Sequence, residues 1–157
     1  MTVRLLFVCM GNICRSPLAE AAFRAEASRI ELDAEADSAG TGGWHAGEPP
    51  DRRAIAAAAR NGVDISGLRA RQVKREDFDR FDEIVALDHD NLAHLQRMRP
   101  ANARARLSLL FDHVPGREGE AVADPYYGGD AGFDVTWRDV SEGARGLAGA
   151  LGRAAGG

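Results

Sequence analysis

The 157-residue sequence predicts an α/β fold, a three-layer α/β/α arrangement with a four-stranded parallel sheet in the middle. Short apolar runs such as Val3–Val8 and Glu83–Leu87 are typical of strands that are buried on both faces of a parallel sheet. Helical segments separate these runs, and such alternation is typical of a sheet covered by crossover helices. We expect residues 1–157 to form a single domain, because this length can bury a sufficient core.

Four strands are predicted along the chain. The first and third strands are apolar segments, and the fourth strand is a short segment that precedes a long loop. The second is poor in strand-forming residues, and we place it mainly on a family resemblance given below. The strands are predicted at Val3–Val8, Glu35–Ser38, Glu83–Leu87 and Arg106–Leu109, with loops at Thr41–Pro50 and Phe111–Gly132.

Helix signals fill the segments between the strands. Ser16 and Pro17 suit the N-cap and first position of a helix, and Asn61-Gly62 is a typical helix end. We expect the last helix to fray at its end, because each of its glycines costs up to about 1 kcal/mol relative to alanine. Pro50 and Asp51 are predicted to open a helix that runs through Ala54–Arg60. The other helices are predicted at Ser16–Ile30, Asn91–Met98 and Phe133–Leu151, with a helical turn within Val73–Phe78.

Cys9 and Arg15 lie in the loop between the first strand and the first helix, with five residues between them. Free backbone N–H groups and the helix dipole favour an anion at this position. The same environment favours a reactive thiolate, and the planar guanidinium of arginine can bind two phosphate oxygens. The sequence therefore predicts a phosphate-binding loop between strand 1 and helix 1, the Cys-x5-Arg loop of cysteine phosphatases.

Residues Val8–Pro17 closely resemble the signature of the low-molecular-weight protein tyrosine phosphatases. A second block, Ala123–Gly128, resembles the Asp-Pro-Tyr loop of that family. The resemblance runs from Val3 to about Leu151 and keeps both motifs in the family's order. Shorter matching stretches are Ser38–Thr41 with Trp44, Ala70–Gln72, and Asp88 with Asn91.

The resemblance implies a protein tyrosine phosphatase that hydrolyses phosphotyrosine through a cysteinyl-phosphate. Cys9 would be the nucleophile, Arg15 the phosphate clamp and Asp124 the general acid and base. The remaining phosphate oxygens would be bound by backbone N–H groups of Met10, Gly11, Asn12, Ile13, Cys14 and Arg15.

Asn12 resembles the family residue that pins the loop through side-chain hydrogen bonds, and Ser16 the residue that donates to the thiolate. Ser16 could equally serve as a helix N-cap. Many family members carry a histidine where this chain has Leu68, and that histidine braces the counterpart of Asn12. Its absence predicts that the loop's brace is missing or replaced.

Aromatic side chains are predicted to wall the substrate pocket, since the family uses the two loops that carry Trp44, Tyr126 and Tyr127 for this purpose. Neither a cofactor nor a metal is expected. The four histidines are scattered, and the pair closest in sequence is five residues apart, which does not place both side chains on one helical face. We interpret them as surface or loop histidines.

Other activities of the same fold are alternatives. Protein arginine phosphatases typically carry threonine at the position of Ile13, so Ile13 favours phosphotyrosine. Arsenate reductases use two further cysteines late in the chain, whereas this sequence has no cysteine after Cys14. A non-catalytic phosphate-binding module would have no use for a thiol paired with a general acid.

Composition narrows the class of partner. The net charge of −4 argues against general nucleic-acid binding, and no apolar stretch reaches the length of a membrane span. We expect phosphotyrosine-containing proteins or aryl phosphates as partners, a cytoplasmic location, and a monomer or weak dimer.

The resemblance also implies that Cys14 forms a reversible disulfide with Cys9, although Cys14 could simply pack as a small apolar residue.

Overall fold

The computed structural model describes residues 1–156 and contains a parallel four-stranded sheet. The predicted sheet is therefore confirmed. The second strand is longer than its poor β-propensity suggested, because it pairs along its whole length with the central strand next to it. The strands are β1 (Val3–Cys9), β2 (Ala34–Gly40), β3 (Glu83–Ala86) and β4 (Arg106–Leu109), in the spatial order β2-β1-β3-β4.

Within residues 1–156, five helices accompany the sheet, namely α1 (Arg15–Arg29), α2 (Arg52–Arg60), α3 (Asp77–Arg80), α4 (His89–Met98) and α5 (Asp130–Gly156). Alternate residues of β1 serve two cores. Leu5 and Phe7 pack with α1, α2 and α5, whereas Leu6 and Val8 pack with α3 and α4 on the other face. This alternation is the period of a strand buried on both sides, and it confirms the three-layer arrangement.

Strand order places the candidate site. The chain leaves β1 toward β2 on one side and later returns to β3 on the other side, so β1 and β3 flank a topological switch point. Ligands of open α/β sheets bind beyond the carboxyl ends of the strands at such a point. Cys9 ends β1, and Asp88 follows β3 at the same edge.

The last helix departs from the prediction at both ends. It runs from Asp130 to Gly156 instead of Phe133 to Leu151. A Cβ on Gly143 would lie 2.4 Å from the side chain of Leu110, and one on Gly146 would lie 2.3 Å from the His113 carbonyl oxygen. These glycines therefore let α5 pack closely against a short 3-10 turn, and tertiary packing outweighs their weak helix propensity.

Helix starts also differ from the prediction. Helix α1 begins at Arg15 after Cys14, and no side chain caps it, so the N-cap interpretation of Ser16 was wrong. Helix α2, by contrast, is opened by Asp51 as predicted, because the Asp51 carboxylate accepts a hydrogen bond from the N–H of Arg53 at 2.8 Å. In the same way, the Asp88 side chain starts α4 before the predicted position. The turn predicted within Val73–Phe78 lies slightly later, as α3.

Candidate active site

The loop that follows β1 presents its amide groups in one direction. Three of its carbonyl groups accept hydrogen bonds from the backbone N–H groups of Thr41, Gly42 and Asp51 at 2.8–3.0 Å. Within the described residues, no hydrogen bond uses the N–H groups of Met10–Arg15. A set of free donors at the start of a helix is the arrangement that binds a phosphate.

Asn12 holds this loop in place from inside. Its backbone has a φ of 59°, a left-handed conformation that asparagine tolerates better than most residues. The side-chain amide donates to the hydroxyls of Ser16 at 2.8 Å and Ser38 at 3.0 Å, and its oxygen accepts from the N–H of Arg71 at 3.0 Å. Both donors and the acceptor are engaged, so the loop is pinned although Leu68 replaces the histidine brace.

The Cys9 sulfur lies 3.0 Å from the Ser16 hydroxyl oxygen, and both groups are buried. Ser16 already accepts the hydrogen bond from Asn12, so its own proton is available to the sulfur. A hydroxyl that donates to a thiolate stabilises the charged form. Ser16 thus takes the position in which it could assist a nucleophilic thiolate.

Arg15 is a buried cation at the point where the loop meets α1, with only 3% of its surface exposed. One terminal nitrogen donates to the Asp88 carboxylate at 2.7 Å and to the Val122 carbonyl at 2.9 Å. The other terminal nitrogen lies 3.6 Å from Asp124. Burial alone would lower the pKa of Arg15, but Cys9 and the Asp88 hydrogen bond outweigh it, and the pKa rises above its usual value. The guanidinium therefore stays charged.

Asp124 lies across the cavity from the loop. One carboxylate oxygen accepts from the N–H of Tyr126 at 3.0 Å, and the side chain keeps about a third of its surface exposed. This exposed carboxyl can reach a leaving group at the cavity mouth. The cavity has a volume of about 260 Å³ and is lined by Cys9, Met10, Gly11, Ile13, Cys14, Trp44, His45, Asp124, Tyr126 and Tyr127.

The three predicted wall residues all line this cavity. The Trp44 ring folds over Gly42, where a Cβ would lie 1.7 Å from it, so only glycine leaves room for this orientation. The rings of Tyr126 and Tyr127 meet edge to face with centroids 5.0 Å apart. Such an aromatic rim suits a flat ring that carries the phosphate.

His45 lies at the cavity, although no signal in the sequence indicated it there. It is a loop residue, as we expected, and its Nδ1 lies 3.1 Å from a Glu48 carboxylate oxygen. A Cβ on Gly11 would lie 3.1 Å from the His45 ring. The backbone of the loop also lies close to Gly40, where a Cβ would lie 2.8 Å from the Met10 carbonyl oxygen.

Cys14 is a second buried thiol that faces the cavity. Burial, with Asp51 and Cys9 nearby, raises its pKa well above the usual value, so it stays a neutral thiol. In the part of the chain that the structure describes, no cluster of three His, Cys, Asp or Glu side chains could hold a metal ion. No helix among residues 1–156 is long and apolar enough to cross a membrane.

Comparison with known proteins decides the family. The family model described as low molecular weight phosphotyrosine protein phosphatase matches residues 4–155. A low molecular weight protein-tyrosine-phosphatase of Streptomyces coelicolor is 44% identical over 156 residues, covering 96% of this chain and 94% of the relative. The chain belongs to the low-molecular-weight phosphotyrosine protein phosphatase family.

Solved structures of similar proteins share this fold. YfkJ from Bacillus subtilis gives a TM-score of 0.90 at 37% identity, covering 98% of this chain and 97% of that one. The Drosophila arginine phosphatase DARP gives a TM-score of 0.85 at 31% identity, covering 91% and 94%. As a member of the family, the chain is a hydrolase.

Proposed function

We propose that this phosphatase hydrolyses phosphotyrosine in proteins through a covalent intermediate on Cys9. The observation that carries the proposal is that a thiol and an exposed carboxyl line one cavity and that a buried guanidinium lies beside the carboxyl. Cys9 and Asp124 line this cavity, and Arg15 lies 3.6 Å from Asp124. A nucleophile, an anion clamp and a proton donor around one phosphate-sized site are what phosphate-ester cleavage requires.

In the first step, the Cys9 thiolate attacks phosphorus and the P–S bond forms as the bond to the tyrosyl oxygen breaks. Asp124 transfers its proton to the departing phenolate oxygen, and tyrosine leaves as a neutral phenol. Arg15 and the free N–H groups of the loop bind the three equatorial oxygens, whose charge grows in the transition state.

In the second step, water attacks the phosphorus of the cysteinyl-phosphate. Asp124, now a carboxylate, takes a proton from this water, and the P–S bond breaks to release inorganic phosphate. The Ser16 hydroxyl, 3.0 Å from the sulfur, stabilises the departing thiolate. The products are tyrosine and phosphate, and the enzyme returns to its starting state once Asp124 carries its proton.

Assay of Cys9→Ser tests this proposal. We expect the variant to fold normally and to release no phosphate from a phosphotyrosyl peptide or p-nitrophenyl phosphate, because a hydroxyl is protonated near neutral pH and is a weak nucleophile. Cys14→Ser in the same loop is the matched control and should retain turnover. Activity of Cys9→Ser above a few per cent of wild type would contradict the covalent mechanism.

Phosphoarginine is the second candidate substrate, because an arginine phosphatase shares the fold. The apolar side chain of Ile13 lines the cavity and suits a phenyl ring better than a polar guanidinium. We expect wild type to prefer phosphotyrosine and Ile13→Thr to shift the ratio toward phosphoarginine. Equal hydrolysis of the two by the wild type would overturn the assignment.

The proposal extends to the conditions in which the enzyme works. Two free thiols in one catalytic loop suit a reducing compartment, and we propose a cytoplasmic location. We also propose that Cys14 makes the site reversible toward oxidation, and that the enzyme acts as a monomer or weak dimer. Phosphotyrosine-containing proteins or aryl phosphates would be its partners.

A further inference from the structure

We infer that Glu20 is a positioning residue that sets the direction of the hydrogen bonds leading to the Cys9 sulfur. Glu20 lies on α1 and is 98% buried, yet it belongs neither to the cavity nor to the proposed chemistry. Its carboxylate touches Ser38 at the end of β2 and Arg24 one turn along the helix. The inference rests on the proposed role of Cys9.

The direction of each bond follows from the carboxylate, which can only accept. The Ser38 hydroxyl must donate its proton to Glu20, at 2.8 Å. With that proton committed, the Ser38 oxygen can only accept from Asn12, at 3.0 Å. Asn12 therefore presents its N–H groups to both serines, and the N–H of Arg71, which donates to the Asn12 oxygen at 3.0 Å, favours the same orientation.

The second N–H of Asn12 continues the chain toward the sulfur. It donates to the Ser16 oxygen at 2.8 Å, which leaves the Ser16 proton to point at Cys9 at 3.0 Å. Four consecutive hydrogen bonds thus connect the thiolate to a buried carboxylate, and each has a fixed direction. If Asn12 were flipped, its oxygen would accept from Ser16 and the thiolate would lose its donor.

Arg24 determines which carboxylate oxygen of Glu20 is left to accept from Ser38. It pairs with one carboxylate oxygen at 2.9 Å, and the other oxygen accepts from Ser38. Burial raises the pKa of Glu20 above its usual value, whereas the contacts with Ser38 and Arg24 act in the opposite direction and favour the charged form. Neighbouring Asp37 acts in the same direction as burial, but Arg71 pairs with it at 3.1 Å.

Glu20→Gln should reverse the hydrogen bond between residue 20 and Ser38 while keeping the volume of the side chain. The Arg24 guanidinium can only donate, so it pairs with the oxygen of the new side-chain amide. The nitrogen of that amide then lies toward Ser38. The Ser38 oxygen would then accept from two donors and its own proton would lose its acceptor, so a charge would no longer anchor the end of the hydrogen-bond chain. We expect the pH midpoint of Cys9 alkylation by iodoacetamide, followed by mass spectrometry, to rise by about one unit. We expect kcat to fall about tenfold, with KM changed less.

A double variant separates hydrogen-bond direction from packing. In Glu20→Gln with Arg24→Ala, no cation competes for the amide oxygen, so the oxygen can accept from Ser38 and most of both losses should recover. Arg24→Ala alone should stay within about twofold of wild type. Glu83→Gln, which removes a partly buried carboxylate at the far end of the sheet, should leave alkylation unchanged.

The outcomes are decisive in either direction. No shift in the alkylation midpoint of Glu20→Gln, or no recovery in the double variant, would overturn the inference. If Glu20→Gln fails to fold, Ser38→Ala breaks the same chain, and an unshifted midpoint there would overturn it instead. The alkylation measurement needs no turnover, so an inactive wild type would contradict the proposed function and leave this inference to its own result.

Discussion

The guanidinium of Arg15 is held from behind by the carboxylate of Asp88, with a nitrogen-to-oxygen distance of 2.7 Å. The other Asp88 oxygen accepts from the N–H of Asn91 at 2.7 Å and starts α4. One side chain therefore joins the phosphate clamp to a helix beyond the neighbouring strand. This link fixes the plane of the guanidinium before the substrate binds. Less conformational entropy of Arg15 is therefore lost when phosphate binds.

Asp88→Asn should weaken this support while the amide oxygen can still cap α4. We expect kcat/KM for p-nitrophenyl phosphate to fall about 10- to 100-fold, about 1.4–2.8 kcal/mol, because Arg15 loses a charged acceptor in a buried place. Inhibition by inorganic phosphate should weaken in parallel. Asp90→Asn, an exposed neighbour on α4, is the control. Unchanged phosphate inhibition would contradict the role of Asp88.

Much of this site can be predicted from local sequence, whereas the residues that hold its functional groups in place cannot. The apolar run before Cys9 and the spacing to Arg15 are sufficient to predict a strand, an anion loop and a thiol at the sheet edge. The sequence indicates Asp88 only as a family match without a role and does not indicate Glu20 at all, because their roles depend on contacts with residues 73 and 18 positions away in the sequence. Ser16 shows the same limit, since a local N-cap signal was overridden by its bonds to Cys9 and Asn12.

Asp124→Asn should slow hydrolysis of a phosphotyrosyl peptide about 10²- to 10⁴-fold, the usual contribution of a positioned acid. The loss for p-nitrophenyl phosphate should be smaller, because p-nitrophenolate leaves readily without a proton. Rates on both substrates check this, with Asp130→Asn at the start of α5 as the control. Equal losses on the two substrates would show that Asp124 is not the leaving-group acid.

Arg53 connects the Asp-Pro-Tyr loop to α2. Its guanidinium donates to the carbonyl oxygens of Tyr126 and Gly128, both at 2.9 Å, and is itself held by Asp51 at 3.0 Å. It also lies over the Phe133 ring, 4.6 Å from the centroid. Tyr126 and Gly128 follow closely after Asp124 in the sequence. Because Arg53 holds the carbonyl groups of both residues, it restricts where the Asp124 carboxyl can lie.

Arg53→Met should therefore lower kcat on a phosphotyrosyl peptide about 5- to 30-fold, the value of one or two hydrogen bonds from a charged donor. If Arg53 acts by positioning Asp124, adding Arg53→Met to Asp124→Asn should cost little more. Arg52→Gln, an exposed neighbour on the same helix, is the control. Full additivity of the two losses would place the effect of Arg53 elsewhere.

His113 should make stability depend on pH. Burial lowers its pKa in the folded chain, against a smaller opposing effect of Asp112, while Nε2 lies 2.9 Å from the Ser108 hydroxyl. The unfolded chain then binds the proton more readily, so this contribution is complete above the usual histidine range and is lost as pH falls through it. Compared with His113→Gln, wild type should lose more stability in urea between pH 8 and pH 5. A constant difference would contradict this.

Cys14 should protect Cys9 from irreversible oxidation. Peroxide oxidises a reactive thiolate first, to a sulfenic acid, whereas the raised pKa of Cys14 keeps that residue a neutral thiol. Both cysteines line one cavity, and we expect the Cys14 thiol to give up its proton to the departing hydroxide as its sulfur attacks the sulfenic acid. The S–S bond forms as water leaves, and dithiothreitol then reduces it.

We therefore expect wild type treated with peroxide to regain most of its activity in dithiothreitol, and Cys14→Ala to regain little, because its Cys9 proceeds to sulfinic acid. Intact-mass measurement before reduction should show the loss of two hydrogens in wild type and added oxygen in the variant. Ile13→Val, which trims another buried side chain of the loop, controls for loosened packing and should recover like wild type. Equal recovery of wild type and Cys14→Ala would mean that Cys14 only packs beneath the loop.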